Sequence, residues 1–382
     1  VSLKQIIQQQ IESQNGQTIS FYDFMELALY HPQQGYYSQA RQKIGKEGDF
    51  YTSVSVGTIF GEVLARTLAE MAEQLTGNEN CYLIEFGGGS GALAQQILRE
   101  WKQRFPQLLS RVEMIMIEKS PYHRELQQES LEGFKARWFN DWEAARKQLG
   151  EMNAVVYSNE LLDAFPVYIL EYNGTDWQEV RVTWDGEKDQ FVEVLVNIGS
   201  DQLKSYLQRE KPYIPKIAGY RIEVNLDAEN WLRQIGQGLK QGYLLTIDYG
   251  YEREELYRPQ RKDGTLMCYY QHQVSTDPLA DPGNKDITTH IHFSALMELG
   301  AQIGVENLGL LRQRQFLING GILNMLQDHQ AGDLYYDAVA KRNRAIRQLI
   351  MPGGMGDTFQ ALVQAKGEVK RDLESLKPKG WM

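Results

Sequence analysis

An α/β fold, a parallel sheet wrapped by helices, is what this 382-residue sequence predicts, and three observations carry the expectation. Strand-like and helix-like runs alternate from Cys81 to Glu160. One apolar run ends in a glycine-rich turn that opens a helical pattern, in "LIEFGGGSGALAQQIL". After a β-rich interruption the helix–strand order returns in "DAENWLRQIGQGLKQG" and "YLLTIDYG". Alternation of this kind sets strands side by side in parallel with helices on both faces.

Taken in order, "LKQIIQQQIES" and "ISFYDFMELALY" carry apolar residues at helical spacing, with Ser20 placed to cap the second. A Gly- and Tyr-rich loop runs from "HPQQGYY" to "GKEGDFYTS", and "TIFGEVLARTLAEMAEQL" is the next helix. The alternating segment reads as strands at "CYLIEF", "VEMIMIE", "FKARWFN" and "NAVVYSNE", separated by helices at "ALAQQILREWKQRF", "PYHRELQQESL" and "DWEAARKQL". It stops at "AFPV". The following "YILEYNGTDWQEVRVTWDGEKDQFVEVLV" has three β-rich runs divided by Asn173-Gly174 and Asp185-Gly186, the signature of an antiparallel meander. A long irregular stretch from Tyr251 to Phe293 precedes a helix at Ser294 to Leu299. "VENLGLLRQRQFLI" reads as two final strands joined by a tight turn, and the C-terminal portion as helical and locally basic. The chain thus divides into an N-terminal helical region and flap (1–79), a first part of the sheet domain (80–165), a β-rich insertion (166–226), a second part with a long loop (227–331) and a helical extension (332–382).

Composition narrows the function. A content of 42% hydrophobic residues supplies a core, while a net charge of −10 argues against a nucleic-acid footprint and favours a cationic partner. No apolar run reaches membrane-spanning length and no signal or transit composition opens the chain, so no membrane insertion is expected and the chain reads as soluble. Cys81 and Cys268 make neither a disulfide framework nor a metal site; both read as small buried hydrophobes in a reducing compartment.

The glycine turn is the first candidate site. Gly87, Gly89 and Gly91 let bare backbone approach a ligand, and the helix after them presents unpaired N–H groups. A dinucleotide pyrophosphate or the carboxylate of a methionine moiety could use such a turn, and Gly87, Gly89 and Ala92 also satisfy the looser dinucleotide pattern. Glu85 favours a ligand bearing an ammonium group. A plain structural reading is a turn with solvated carboxylates nearby. The E-x-G-x-G-x-G spacing resembles motif I of class I S-adenosylmethionine methyltransferases. On that reading Glu118, ending the next strand, accepts bonds from both ribose hydroxyls, and Asp141 and Trp142, after the third strand, contact the adenine.

The resemblance extends further. "GDFYTSVSVGTIFGEVLA", "IEFGGGSGAL", "IEKSP", "SNELLDAFPV", "IDYGY", "GTLMCYY" and "DITTHIHFSAL" occur in the order seen in the MidA-like family, from about Ser20 to Phe359. The sequence departs from the family at "TSVSVGTIFGE", which lacks the Pro and Glu that usually follow Thr-Ser. Membership implies a class I methyltransferase (Rossmann-like) sheet with helical N- and C-terminal additions and a β-rich insertion, and S-adenosyl-L-methionine as cofactor. The family includes a mitochondrial complex I assembly factor that methylates arginine, so the resemblance implies a protein substrate, with a respiratory complex I subunit as candidate. It places a bacterial member in the cytoplasm and a processed eukaryotic one in the mitochondrial matrix, and leaves homo-oligomerisation open.

Methyl transfer to arginine needs carboxylates that hold the guanidinium and orient one nitrogen. "SNELLDAFP" supplies Glu160 and Asp163 at the sheet edge where open α/β folds bind ligands, with Asn159 on the cofactor side. Asp163 reads equally as a helix-start carboxylate. In "DITTHIHF", Asp286, His290 and His292 could form a polar cluster in which His290 relays a proton; a structural His–Asp pair is the plainer reading. Asp248 and Tyr249 are candidates to line the substrate pocket. Phe50, Tyr51, Thr52 and Ser53 read as a flap over the cofactor, Thr52 and Ser53 touching it. No third ligand has metal-site spacing. The competing functions are a noncatalytic assembly factor that retains a cofactor fold, and an NAD-dependent oxidoreductase, for which Glu85 is a poor companion.

Overall fold

The computed structural model describes residues 1–39, 53–75, 81–270, 273–275, 277–328 and 337–379. Its centre is a sheet whose strands lie in the order Val305–Arg312, Phe359–Lys366, Leu239–Tyr251, Met152–Asn159, Cys81–Phe86, Val112–Ile117 and Ala136–Phe139. The short strand Ile291–His292 adds in parallel to the end of Leu239–Tyr251. From Leu239–Tyr251 to Ala136–Phe139 every pairing is parallel. Phe359–Lys366 runs antiparallel to both of its neighbours. The strand Cys81–Phe86 is buried along its whole length, which is why "CYLIEF" is nearly uniformly apolar instead of alternating.

Two apolar layers enclose this sheet. One joins the helix Ile59–Glu73 (Phe60, Leu64, Leu68) to Leu83, Val155 and Leu245 on one face. The other joins Ile84, Val156 and Leu244 to Trp142, Trp231, Leu232 and Phe293 on the opposite face.

The C-terminal region corrects two expectations. Only the first half of "VENLGLLRQRQFLI" is a strand; Gln313–Asn319 is a helix. The last strand of the sheet is Phe359–Lys366, within the stretch expected to be a helical extension, although Ala338–Ile350 is indeed helical. The segment "FQALVQAK" is buried on both faces, so it shows no strand alternation. Its two interior glutamines are satisfied locally, Gln360 Nε2 donating to Gly250 O (2.7 Å) and Gln364 Nε2 to Asn307 Oδ1 (2.8 Å).

A second sheet lies beside the first. The expected meander is present as Tyr168–Tyr172, Trp177–Asp185 and Gln190–Asn197, extended by Tyr220–Val224 and by the pair Ile19–Ser20. The helix Asp201–Glu210, which the β-rich reading missed, lies between the last two of its longer strands in sequence. Helices Leu3–Ser13 and Phe21–Tyr30 pack Ile7, Phe24 and Met25 against Ile169, Val180 and Val182, together with Cys268 and Ile287. Ser20 caps Phe21–Tyr30 by accepting from Asp23 N (3.0 Å). The stretch Tyr251–Phe293, read as irregular, carries its own three-stranded sheet of Met267–Tyr270, Gln273–Ser275 and Asp286–Thr288. N-terminal helices, insertion and this small sheet therefore share one apolar cluster.

Candidate functional site

The chain reverses its order across the sheet between Cys81–Phe86 and Met152–Asn159, and the crevice outside their carboxyl ends is where such folds hold ligands. The glycine turn occupies one side of it. Gly87, Gly89 and Gly91 have φ of 63°, 51° and 80°, left-handed values that disfavour any side chain. Gly88 is required for a different reason: a Cβ there would lie 2.8 Å from Glu85 Oε2 and 2.6 Å from Met116 Cε. Glu85 is thus placed directly against the turn. It is 2% exposed, its Oε2 has no hydrogen-bond partner, and burial pushes the carboxyl up to about 8. The nearby Tyr157 hydroxyl counters that shift without reaching a well-formed hydrogen bond. On the adjacent strand end, Glu118 accepts from Ser120 N at Oε1 (2.9 Å) and from Gln127 Nε2 at Oε2 (3.2 Å). Burial raises its pKa.

The other side is acidic. Asn159 Nδ2 donates to Glu160 Oε1 (3.0 Å), and Glu160 N donates to Ile247 O (2.9 Å). Glu160 has φ 53°, a left-handed conformation in a residue that gains nothing locally from it; such strain clusters at working sites. Burial, then the charges of Asp248 and Asp286, push Glu160 up to about 8. Asp163 is buried with Oδ1 unpartnered. Asp248 is the best satisfied member: Oδ2 accepts from the N–H groups of Leu161 (3.2 Å), Leu162 (2.8 Å) and Asp163 (3.3 Å), and Oδ1 from Tyr249 N (2.9 Å). Burial raises both aspartates, but the N–H groups around Asp248 favour its ionised form and oppose its shift, so Asp163 is raised the more of the two.

Two residues of this site gave no distinct local sequence signal. The N-terminal region contributes Tyr30, whose hydroxyl donates to Ala164 O (2.9 Å), and Tyr37, whose hydroxyl donates to Asp286 (2.8 Å). The two rings stack 5.4 Å apart, and Tyr30 reaches both halves of the crevice, its ring 5.8 Å from Lys119 Nζ beside Glu118 and its hydroxyl on Ala164 beside Asp163. Asp248, expected to line a pocket, is instead fully buried and fastens the turn that carries Glu160. A signal for Tyr30 existed only as one aromatic in a helix that is aromatic throughout.

The remaining expected residues are placed as follows. Asp141 is the N-cap of the helix Trp142–Leu149, accepting from Ala144 N (2.8 Å). Trp142 is 4% exposed, donates its indole N–H to Gln234 O (2.7 Å) and packs on Phe86 and Gly238; it is a core residue and not an open platform for adenine. Ser53 is completely buried and bonded to Gln313 (3.0 Å), so its hydroxyl is not turned to a cofactor. Thr52, with Phe50 and Tyr51, lies outside the described residues. Asp286, His290 and His292 do not form one cluster. Asp286 accepts from Tyr37, His290 stacks on Tyr251 (5.0 Å), and His292 lies against Tyr206 and Glu210. Burial holds both imidazoles down at about 4, so each is neutral at physiological pH. Among the described residues no group of His, Cys, Asp and Glu is arranged to hold a metal, and no helix is long and apolar enough to cross a membrane.

The crevice therefore offers bare backbone at a glycine turn, an unpartnered buried carboxylate oxygen against that turn, and a second carboxylate fixed by hydrogen bonds on the next strand. These fit the three polar parts of S-adenosylmethionine: its amino-acid end, its ammonium and its ribose diol.

Comparison with known proteins agrees. Residues 63–311 match a family model described as "Putative S-adenosyl-L-methionine-dependent methyltransferase". The rat protein arginine methyltransferase NDUFAF7, mitochondrial, is 27% identical over 370 residues, covering 89% of this chain and 79% of its own length. The human protein of the same name is 26% identical, over 80% of this chain and 70% of its own. A COG1565 superfamily member from Burkholderia thailandensis, crystallised with S-adenosyl-homocysteine, superposes with a TM-score of 0.86 at 30% identity, covering 98% of this chain and 94% of its own. With its sheet order, its crevice and these relatives, the chain belongs to the MidA-like family of S-adenosyl-L-methionine-dependent methyltransferases.

Proposed function

We propose that this methyltransferase acts on an arginine side chain of a protein partner. The relatives named protein arginine methyltransferases bring that substrate into view. The observation that carries the reading is the acidic side of the crevice. Among the described residues, no Lys or Arg forms an ion pair with Glu160 or Asp163, and both carboxyls are pushed up by burial and then by the neighbouring carboxylates Asp248 and Asp286. A guanidinium between them would satisfy Asp163 Oδ1 and offset the desolvation of both groups. The family resemblance points to a respiratory complex I subunit as the partner.

In this reading the Gly87–Gly91 turn and Glu85 hold the amino-acid end of the cofactor and Glu118 its ribose. Asn159, with a buried Oδ1 that lacks a partner, faces the same ligand. The bound cofactor supplies an electrophilic methyl group on a sulfonium. Glu160 and Asp163 grip the guanidinium and aim one nitrogen at the site of transfer. The proton that nitrogen loses passes to Glu160, which the bound guanidinium keeps in its carboxylate form. Tyr30 and Tyr37 wall off the junction between the two halves and keep water out.

The test is transfer of labelled methyl from S-adenosylmethionine to a partner whose modified residue is mapped. Glu160→Gln is expected to lower the rate by roughly 10²-fold or more, with little change in S-adenosylhomocysteine affinity. Normal turnover on a verified arginine removes Glu160 from the mechanism; lost cofactor binding moves it to the cofactor side.

A further inference from the structure

The helix Pro121–Ser130 lies directly against the glycine turn: a Cβ at Gly91 would come 3.1 Å from Gln127 Cα and 3.3 Å from Ser130 Cβ. Two side chains of this helix hold carbonyls of the turn. Ser130 Oγ donates to Ser90 O (2.8 Å), and Gln127 Nε2 donates to Gly89 O (3.0 Å). Gln127 does more. The same Nε2 donates to Glu118 Oε2 (3.2 Å), and Oε1 accepts the indole N–H of Trp138 (3.2 Å).

The chemistry of the three partners fixes the orientation of this amide. An indole N–H only donates, so it must meet Oε1; a peptide carbonyl and an ionised carboxylate only accept, so both must meet Nε2. Both amide hydrogens of Gln127 are then used, and the side chain is fully buried. No other residue type supplies two donors and one acceptor at these positions. Glutamate would offer carboxylate oxygens to Gly89 O and Glu118, and an apolar residue would leave all three partners unmet.

We propose that Gln127 is a positioning residue for the cofactor, joining the turn that receives its amino-acid end to the carboxylate that receives its ribose. The proposal rests on the S-adenosylmethionine reading of this crevice. Ser120 N and Gln127 Nε2 each occupy one lone-pair direction of the Glu118 carboxylate, one per oxygen. The Lys119 N–H and His123 Nδ1 (3.9 Å from Oε2) also lie near the carboxylate, but each oxygen can still accept a further donor, and the two neighbouring hydroxyls of a ribose supply one apiece. Gln127 thereby sets the angle at which Glu118 presents itself, and the Gly89 bond ties that angle to the position of the turn. Glu118 and Gln127 lie nine residues apart in "EKSPYHRELQ", on a strand end and in the following helix.

The experiment measures the affinity of the intact protein for S-adenosylhomocysteine and for its 2′-deoxyribose analogue, with wild type, Gln127→Ala and Gln127→Glu. If wild type binds neither compound, the cofactor reading itself fails. Given wild-type binding, Gln127→Ala is expected to weaken S-adenosylhomocysteine about 10- to 100-fold. The deoxy analogue should be weakened much less, so that the wild-type preference for the ribose shrinks toward unity. At saturating S-adenosylmethionine the turnover rate should stay within a few-fold, with the loss in KM. Gln127→Glu keeps the shape of the side chain and covers the case in which the alanine variant does not fold. It should be as defective at pH 8 and recover in part at pH 6, where a protonated carboxyl can again donate to Glu118 or Gly89. An unchanged ratio between the two ligands in a folded variant, or a glutamate variant with wild-type affinity at pH 8, overturns the proposal and leaves Gln127 as packing alone.

Discussion

Asp248 Oδ2 accepts the Leu162 N–H at 2.8 Å, and this bond fastens the turn that carries Glu160 to the end of the neighbouring strand. The adjacent N–H groups of Leu161 and Asp163 reach the same oxygen, while Oδ1 takes the N–H of Tyr249. In Asp248→Asn, whichever way the amide sits, an N–H of the side chain faces an N–H of the backbone. The expected cost is about 1–3 kcal/mol of stability, read by chemical denaturation. Methyl transfer should fall further than the folded fraction, because Glu160 loses its mount. A variant equal to wild type in both measurements shows that the turn holds itself.

The titration of the crevice has a definite sign. Burial holds Glu85 and Glu160 at about 8 in the folded protein, against ~4.3 in an unfolded chain. Between those values the folded state binds the extra protons, so stability is lost as pH rises toward 8. His290 and His292, held at about 4, act in the opposite direction, but only below ~6.5. From pH ~6.5 to 8 the carboxyl effect stands alone, and the melting temperature of the ligand-free protein should fall. Glu160→Gln should flatten that fall. Identical slopes in the two proteins would mean that Glu160 does not titrate there.

The same carboxyls predict proton release. A guanidinium that binds between Glu160 and Asp163 favours their charged forms, so protons leave as it arrives. Calorimetry at pH 7 in buffers of different ionisation enthalpy, with a substrate peptide containing the target arginine, should show net release. The release should shrink in Glu160→Gln. Uptake of protons, or none exchanged in wild type, contradicts the placement of the guanidinium.

Glu160 also carries backbone strain, with φ 53°. Asn tolerates the left-handed region better than a longer carboxylate does, and it is neutral. Glu160→Asn is therefore expected to raise stability by about 1 kcal/mol while methyl transfer drops as in Glu160→Gln. A less stable variant would mean that the Asn159–Glu160 hydrogen bond outweighs the strain.

What the sequence disclosed follows from how local each signal is. The Gly87–Gly91 turn, the strand ending at Glu118 and the carboxylates after Asn159 are stated by neighbouring residues, and each lies at the crevice. The strand Phe359–Lys366 was hidden because a strand buried on both faces loses its alternation and here includes glutamines that bond inside the sheet. Tyr30, Gln127 and Asp248 act on partners across gaps of 134, 38 and 86 residues respectively, and nothing near them in the chain announces it. Asp141 was the reverse case. Its place just before a helix spelled an N-cap, and the structure uses it as one.

Trp142 offers a direct check on where the adenine sits. Its indole N–H is held by Gln234 O at 2.7 Å, at the end of the helix Leu226–Gly238, and the ring fills the space left by the missing side chain of Gly238. Trp142→Phe removes the donor and part of the ring. The carbonyl loses its partner and a small cavity opens, together worth about 1–3 kcal/mol. Because the ring faces the core, S-adenosylhomocysteine affinity measured below the melting range should stay within about twofold. The opposite pattern, unchanged stability with affinity reduced tenfold or more, would place the indole against the adenine and return Trp142 to the cofactor site.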